Sequence, residues 1–183
     1  MAKIETVNAT SSVSPVYFDS ALVAKFYLNE SGRDAIRALA QNAGVVVSSG
    51  IAVTEVAAAF HRKLREGVID REVFAALNGQ FEHDLQSELW RLSCPTEALL
   101  EQVRLLFLKL DRSVFLRSLD ALHLITAKAE HFDRIYSNDR HLLGACASVG
   151  LEGVNPISQA AAVTAIPVDK VKKRPATPKR RQQ

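Results

Sequence analysis

Short apolar runs of strand type alternate with stretches of helical periodicity from residue 16 to residue 154, and that alternation leaves few folds open. Val16-Tyr17-Phe18 predicts a short buried strand ended by Asp19. A helix follows from Ala21 to Leu28, and Ser31-Gly32 opens a second one to about Gln41. Val45-Val46-Val47 is the clearest strand in the chain. Ile51, Val56, Ala59, Phe60 and Leu64 keep helical spacing over residues 51–65, and Gly67 ends that helix. Asp70 caps the next, which runs to about Gln86. Leu89 to Leu92 fits a third strand, closed by Pro95. Thr96 and Glu97 start a helix whose stripe from Leu99 to Leu110 is either core or a dimer surface. Ser118 to Ala129 is a further helix, Arg134-Ile135-Tyr136 a fourth strand, residues 140–148 a helix, and Leu151 to Val154 a weak fifth strand. The pattern predicts an α/β domain with a parallel central sheet and right-handed crossovers.

That domain is expected over residues 15–158. Residues 1–14, rich in Ser, Thr and Asn, read as a loose arm. Residues 159–183 begin with small residues and end in Pro and basic residues, with too little apolar content to pack. The division matters for charge. The formal net charge is +3, but Lys170, Lys172, Lys173, Arg174, Lys179, Arg180 and Arg181 crowd into the tail against Asp169 alone. Without them 16 of the 23 basic and 19 of the 20 acidic residues remain, so the body carries about −3. The tail is expected to raise nonspecific RNA affinity, the plain alternative being a solubilising end. Cys94 and Cys146 lack metal-ligand spacing and point to a reducing cytoplasm rather than a disulfide scaffold. The stretch MAKIETVNATSSVSP has no apolar segment of signal type. The uncharged stretches Ala38 to Thr54 and Gly153 to Val168 are interrupted by polar residues, Gly or Pro and read poorly as membrane spans.

Four acids stand where a strand or its loop gives way to a helix: Asp19, Glu55, Asp120 and Asp139. In open α/β sheets, sites form beyond the carboxyl ends of the strands. Carboxylates converging there repel one another unless a cation sits among them or some stay protonated. Hard divalent cations prefer oxygen ligands, so magnesium or manganese is expected, and such a site suits phosphodiester hydrolysis. Asp120 comes from the far end of its own connection, so only tertiary packing brings it in. Each acid also has a plain reading. Asp139 caps a helix from the Ser137-Asn138-Asp139 cluster, Asp19 is a turn residue before Ser20, and Glu55 and Asp120 are first-turn acids favoured by the helix dipole. Glu55 resists that reading best, as the only charge between Arg37 and His61.

Other chemistries are poorly supported. The chain contains no G-x-G-x-x-G, Walker, H-E-x-x-H, paired C-x-x-C or G-x-S-x-G pattern. A phosphatase would want D-x-D, whereas Asp19 is followed by Ser20-Ala21. His123 lies one helical turn from Asp120, a position more often taken by a packed core residue than by a functional one. His61, His83 and His131 read as surface positions, and His141 as a helix-surface residue beside Asp139.

At the four acids the chain resembles the PIN-domain family, and more narrowly the VapC ribonuclease toxins. The matching segments are VYFDSALVAKFY (16–27), SSGIAVTEVAAAFHR (48–62), FLRSLDALHLITA (115–127) and IYSNDRHLLGACASVGLEGVNP (135–156). The run around Asp120 is the most specific of them. The resemblance implies a three-layer α/β/α domain with a mostly parallel sheet in strand order 3-2-1-4-5. It implies a metal-dependent endoribonuclease, toxin of a toxin–antitoxin pair, forming a homodimer and blocked by a cognate VapB-like antitoxin. Asp19 and Asp120 would be the principal magnesium or manganese ligands, with Glu55 and Asp139 completing the set directly or through water. Ser20, Ser137 and Asn138 would position water or a carboxylate. Arg117 would hold RNA phosphate or brace the site by ion pairing, the second being the plainer role. The alternative is a non-catalytic PIN-like module that holds RNA or a partner, against which the intact acids argue.

Overall fold

The computed structural model describes residues 14–158. The basic tail and nearly all of the expected arm lie outside the described residues. The chain order is β1 (Val16–Tyr17), α1 (Ser20–Tyr27), α2 (Arg33–Ala43), β2 (Val46–Ser49), α3 (Ala52–Arg65), α4 (Arg71–Gln86) and β3 (Trp90–Ser93). It continues with α5 (Glu97–Lys109), α6 (Ser118–Ala129), β4 (Arg134–Tyr136), α7 (Arg140–Ala145) and β5 (Glu152–Val154).

β1, β2 and β3 pair in parallel, and β4 pairs with β5 in parallel. A single parallel bridge between Phe18 and Tyr136 joins the two sets, so the strands run in the expected order 3-2-1-4-5. The Asp19 N–H donates to the Tyr136 carbonyl across that seam at 3.1 Å.

Alternation along the strands produces the layers, because successive side chains point to opposite faces. Phe18, Val46 and Trp90 face one side and are buried with Leu22, Ile36, Val56, Phe60 and Phe81 of α1–α4. Tyr17 and Val47 face the other and are buried with Leu122, Leu124 and Ile125 of α6 and Leu142 of α7. The result is the three-layer α/β/α arrangement expected.

Side-chain caps start four helices. Asp19 accepts from the Leu22 N–H, Asp70 from Val73, Thr96 from Leu99, and Asp139 from His141 and Leu142. Gly32 opens α2 at φ +87°, with Ile157 side-chain atoms so close that a Cβ would lie 2.6 Å from one of them. The helix expected over 140–148 stops at Ala145. A 3₁₀ turn over Cys146–Val149 takes its place, and Gly150 at φ +76° closes it. The stripe on α5 is divided. Leu99 is buried and Val103, Leu106 and Leu110 pack half-buried on the core, whereas Leu100, Phe107 and Leu108 are exposed.

One polar knot lies inside the apolar layer of α1–α4. The Tyr27 hydroxyl donates to Asp84 Oδ2 at 2.7 Å and accepts from Trp90 Nε1, while Gln80 donates to Asp84 Oδ1 at 2.8 Å. The knot satisfies a buried carboxylate and ties α1 to α4 and β3. No described helix is long and apolar enough to cross a membrane.

Candidate active site

A cleft of about 750 Å³ opens over the carboxyl ends of β1, β2 and β4, and Asp19, Glu55, Asp120 and Asp139 all line it. Each reaches the cleft for a local reason. Asp19 is the residue at which β1 has ended and α1 has not begun, so its side chain caps α1. Glu55 sits in the first turn of α3 just beyond β2, and Asp120 in the first turn of α6. Asp139 caps α7 just beyond β4. Asp139 is thus a cap and Glu55 and Asp120 are first-turn acids, Asp19 is a helix cap where the sequence suggested a turn residue, and all four still line one cleft.

The four are not electrostatically alike. Asp19 is 3% exposed. Its Oδ1 accepts the Leu22 N–H at 2.9 Å and its Oδ2 accepts the Ser137 hydroxyl. Burial pushes its carboxyl pKa above the ordinary range, and neither nearby His123 nor these hydrogen bonds undo the shift. Among the described residues no Lys or Arg pairs with it. Glu55 is opposite in sign. Burial opposes its charge, but hydrogen bonds from His123 and Ser20 outweigh that and hold its carboxyl below the ordinary range. Ser20 Oγ donates to Glu55 Oε2 at 2.6 Å.

Arg117 accounts for the other pair. Its Nε lies 2.7 Å from Asp120 Oδ2 and its Nη2 lies 2.6 Å from Asp139 Oδ2. Arg117 thus bridges Asp120 and Asp139 in this conformation. Burial also opposes the Asp139 charge, but the His141 and Leu142 amides and Arg117 hold its carboxyl low. Ser137 joins the two ends of the site, donating to Asp19 while accepting the Asp139 N–H at 2.9 Å. Asn138 lines the cleft beside them.

His123 matters more than its sequence position suggests. It is a packed core residue, 2% exposed, yet its Nε2 lies 2.8 Å from Ser20 Oγ and 3.3 Å from Glu55 Oε2. Its Nδ1 lies 3.1 Å from the Tyr17 hydroxyl. The Ser20 backbone N–H also points at Nε2, at 3.4 Å. The signal available in the sequence was a single imidazole inside Ala121–Ala127, a run buried throughout.

The donor set is all oxygen, and Asp19 is a buried carboxylate without a cation, so the chemistry fits a hard divalent ion. In this conformation no three such groups among the described residues are gathered closely enough to hold one. The acids are parted into Asp19, Glu55 with its Ser20–His123 brace, and the Asp120–Arg117–Asp139 bridge. Metal binding at all four would require Arg117 to leave the bridge.

A family model described as PIN domain matches residues 16–146. No curated protein matches the chain. Among solved structures, the chain is similar to VapC20 of Mycobacterium tuberculosis, a toxin that cleaves the sarcin–ricin loop. The identity is 16% and the TM-score 0.55, over 71% of this chain and 94% of that one. It is also similar to FitAcB from Neisseria gonorrhoeae, at 15% identity and a TM-score of 0.58 over 77% of this chain and 97% of that one. At these identities the likeness concerns the fold.

Proposed function

The chain belongs to the PIN-domain family, and on that ground we propose that it is a metal-dependent endoribonuclease, the toxin of a toxin–antitoxin pair. The observation that carries the proposal is the meeting of four carboxylates in one cleft at the strand ends, with Asp19 buried and paired with no Lys or Arg among the described residues. The likeness to a toxin that cleaves the sarcin–ricin loop supports RNA as the substrate class.

In this reading Asp19 and Asp120 are the principal ligands of magnesium or manganese, and Glu55 and Asp139 complete the set directly or through water. A bound divalent cation supplies Lewis acidity and a water of lowered pKa. The chain does the rest. Ser137 fixes the Asp19 carboxylate by hydrogen bond, and Ser20 with His123 fixes that of Glu55. Such bracing keeps the carboxylates oriented without reorganisation during the reaction, the feature that makes fixed charges effective in transition-state stabilisation. Arg117, 56% exposed, is free at its outer side to meet the phosphate once it leaves the carboxylates. Asn138 offers an amide to water at the mouth. The proposal includes a cytoplasmic homodimer, a VapB-like antitoxin that occupies the cleft, and nonspecific RNA grip from Lys170, Lys172, Lys173, Arg174, Lys179, Arg180 and Arg181.

The test is cleavage of total RNA with mapped ends, in magnesium or manganese and in chelator. The parent cuts only with metal, while Asp19→Asn and Glu55→Gln fold but do not cut. Cutting by Asp19→Asn at the parent rate, or by the parent in chelator, overturns the assignment.

A further inference from the structure

We propose that Lys25 and Arg62 form a phosphate subsite at the end of the cleft away from the acids, holding the backbone of a single RNA strand beside the bond to be cut. The inference rests on the ribonuclease reading and deepens it.

The geometry follows from two helices. α1 begins at the Asp19 cap, and Lys25 is six residues further on, about 9 Å along the axis. α3 carries Glu55 in its first turn, and Arg62 is two turns later on the same face. Both helices therefore run away from the acids. Their far ends are tied together, because Glu30 takes Lys25 of α1 at 2.6 Å and Lys63 of α3 at 2.7 Å. Lys25 and Arg62 both line the cleft there. Between the two ends the lining is small, with Ala21, Ala24 and Ala59 leaving open floor.

The charge along the cleft is thus polarised. At one end four carboxylates face Arg117 alone among Lys and Arg. At the other, Lys25 and Arg62 line the cleft beside the single carboxylate of Glu30, which Lys63 also pairs from outside the lining, and Arg62 has no ion-pair partner among the described residues. A polyanion needs this arrangement. The scissile phosphate reaches an acidic centre only together with cations, while the neighbouring phosphates would be repelled by the same carboxylates. The Lys25 backbone lies about 9 Å beyond Asp19 along the α1 axis, a span that a neighbouring phosphate on an extended strand can bridge. A groove lined on one side by backbone-tracking cations suits one strand, since sequence-specific RNA recognition mostly engages unpaired segments.

The experiment uses the full chain and a fluorescein-labelled single-stranded RNA. Binding is followed by anisotropy across a salt series with Asp19→Asn in the background, and cleavage is followed in the parent background. Each phosphate contact on a single strand contributes about 0.7 to the log–log salt slope, so Lys25→Gln with Arg62→Gln should lower it by about 1.4. At 0.1 M salt that slope corresponds to about 25-fold weaker binding, and in cleavage the loss should fall on KM. Glu30→Gln, which frees Lys25 and Lys63, should tighten binding. A matched charge loss, Arg91→Gln with Arg134→Gln at the opposite end of the sheet, should leave the slope within about 0.3 of the reference. The subsite is refuted if the Lys25/Arg62 pair behaves like that control, or if Glu30→Gln is neutral, in a protein that still cuts RNA. If the parent neither cuts nor binds RNA, the ribonuclease reading falls and the subsite falls with it.

Discussion

Asp19→Asn tests the electrostatics of the site without any RNA. The carboxylate is almost fully buried, and burial raises its pKa. Its two hydrogen bonds do not fully offset burial of the charge, and the shortfall is of the order of the roughly 1–3 kcal/mol that an unsatisfied buried polar group costs. Asparagine has the same shape, keeps an oxygen for the Leu22 N–H, and turns its amide toward Ser137, whose hydroxyl can accept. What it gives up is an anion at the N-terminus of α1, worth about 0.3–1 kcal/mol. The balance favours the variant by about 1 kcal/mol in chelator at pH 7, or about 2–4 °C in Tm for a domain of this size. The pH dependence has a definite sign. The folded carboxyl holds its proton above the unfolded value of about 4, so the parent loses stability as pH rises from there through the raised folded value. Asparagine shows no such loss, and the gap between the two proteins should close as pH falls toward 4. Manganese at about a hundredfold over Kd should stabilise the parent by about 2.7 kcal/mol and the variant by much less. Thermal melts at pH 5–8, in chelator and in manganese, read all three effects. A variant that melts below the parent at pH 7 in chelator, or gains as much from manganese, would refute the reasoning.

Arg117→Gln should scarcely change stability, because the side chain is 56% exposed. It should tighten manganese by about thirtyfold, since a guanidinium some 4 Å from an incoming divalent cation repels it by about 2 kcal/mol even in a water-like dielectric; unaltered affinity in an electron paramagnetic resonance titration would contradict that. Tyr27→Phe orphans the Trp90 indole N–H and one oxygen of Asp84, so urea denaturation should show a loss of about 2–4 kcal/mol, and a loss under 1 would mean the knot is not a unit. Glu30 is held low by its hydrogen bonds from Lys25 and Lys63. Its contribution is present above the unfolded value of about 4.3 and disappears as pH falls through the lowered folded value. Glu30→Gln should therefore cost about 0.5–1 kcal/mol at pH 7 and progressively less as pH falls below about 4.3, as measured by melts.

The strands and helices were legible because each is short and bounded by a residue with one structural use: Asp19, Asp70, Thr96 and Asp139 as caps, Gly67 and Pro95 as stops. The end of α7 was not, because the 3₁₀ turn at Cys146–Val149 uses the same residue types as a helix and differs only in where Gly150 closes it. The four acids could be seen to share one end of the sheet, since that follows from strand polarity. How they divide among Arg117, Ser20, Ser137 and His123 could not, because those contacts join residues up to 118 positions apart. His123 was underrated for a related reason. Periodicity marks it as buried, and burial alone does not say that a ring nitrogen meets Ser20 and Glu55.

The junction between β1 and β4 carries the Phe18–Tyr136 bridge, the packing of those two rings, the Asp19 N–H to Tyr136 carbonyl hydrogen bond and, beside the cleft, the Ser137–Asp19 contact. The pairing there is one bridge long, whereas the other neighbouring strands pair over two to four residues. The cleft floor is therefore a suture whose last stitch is the very carboxylate that any bound ion would use. Occupancy at Asp19 and mechanical closure of the two half-sheets become a single event. The Asp19 amide, at that suture, should then exchange with deuterium more slowly when the cleft is filled, giving a local readout of occupancy that needs no substrate turnover.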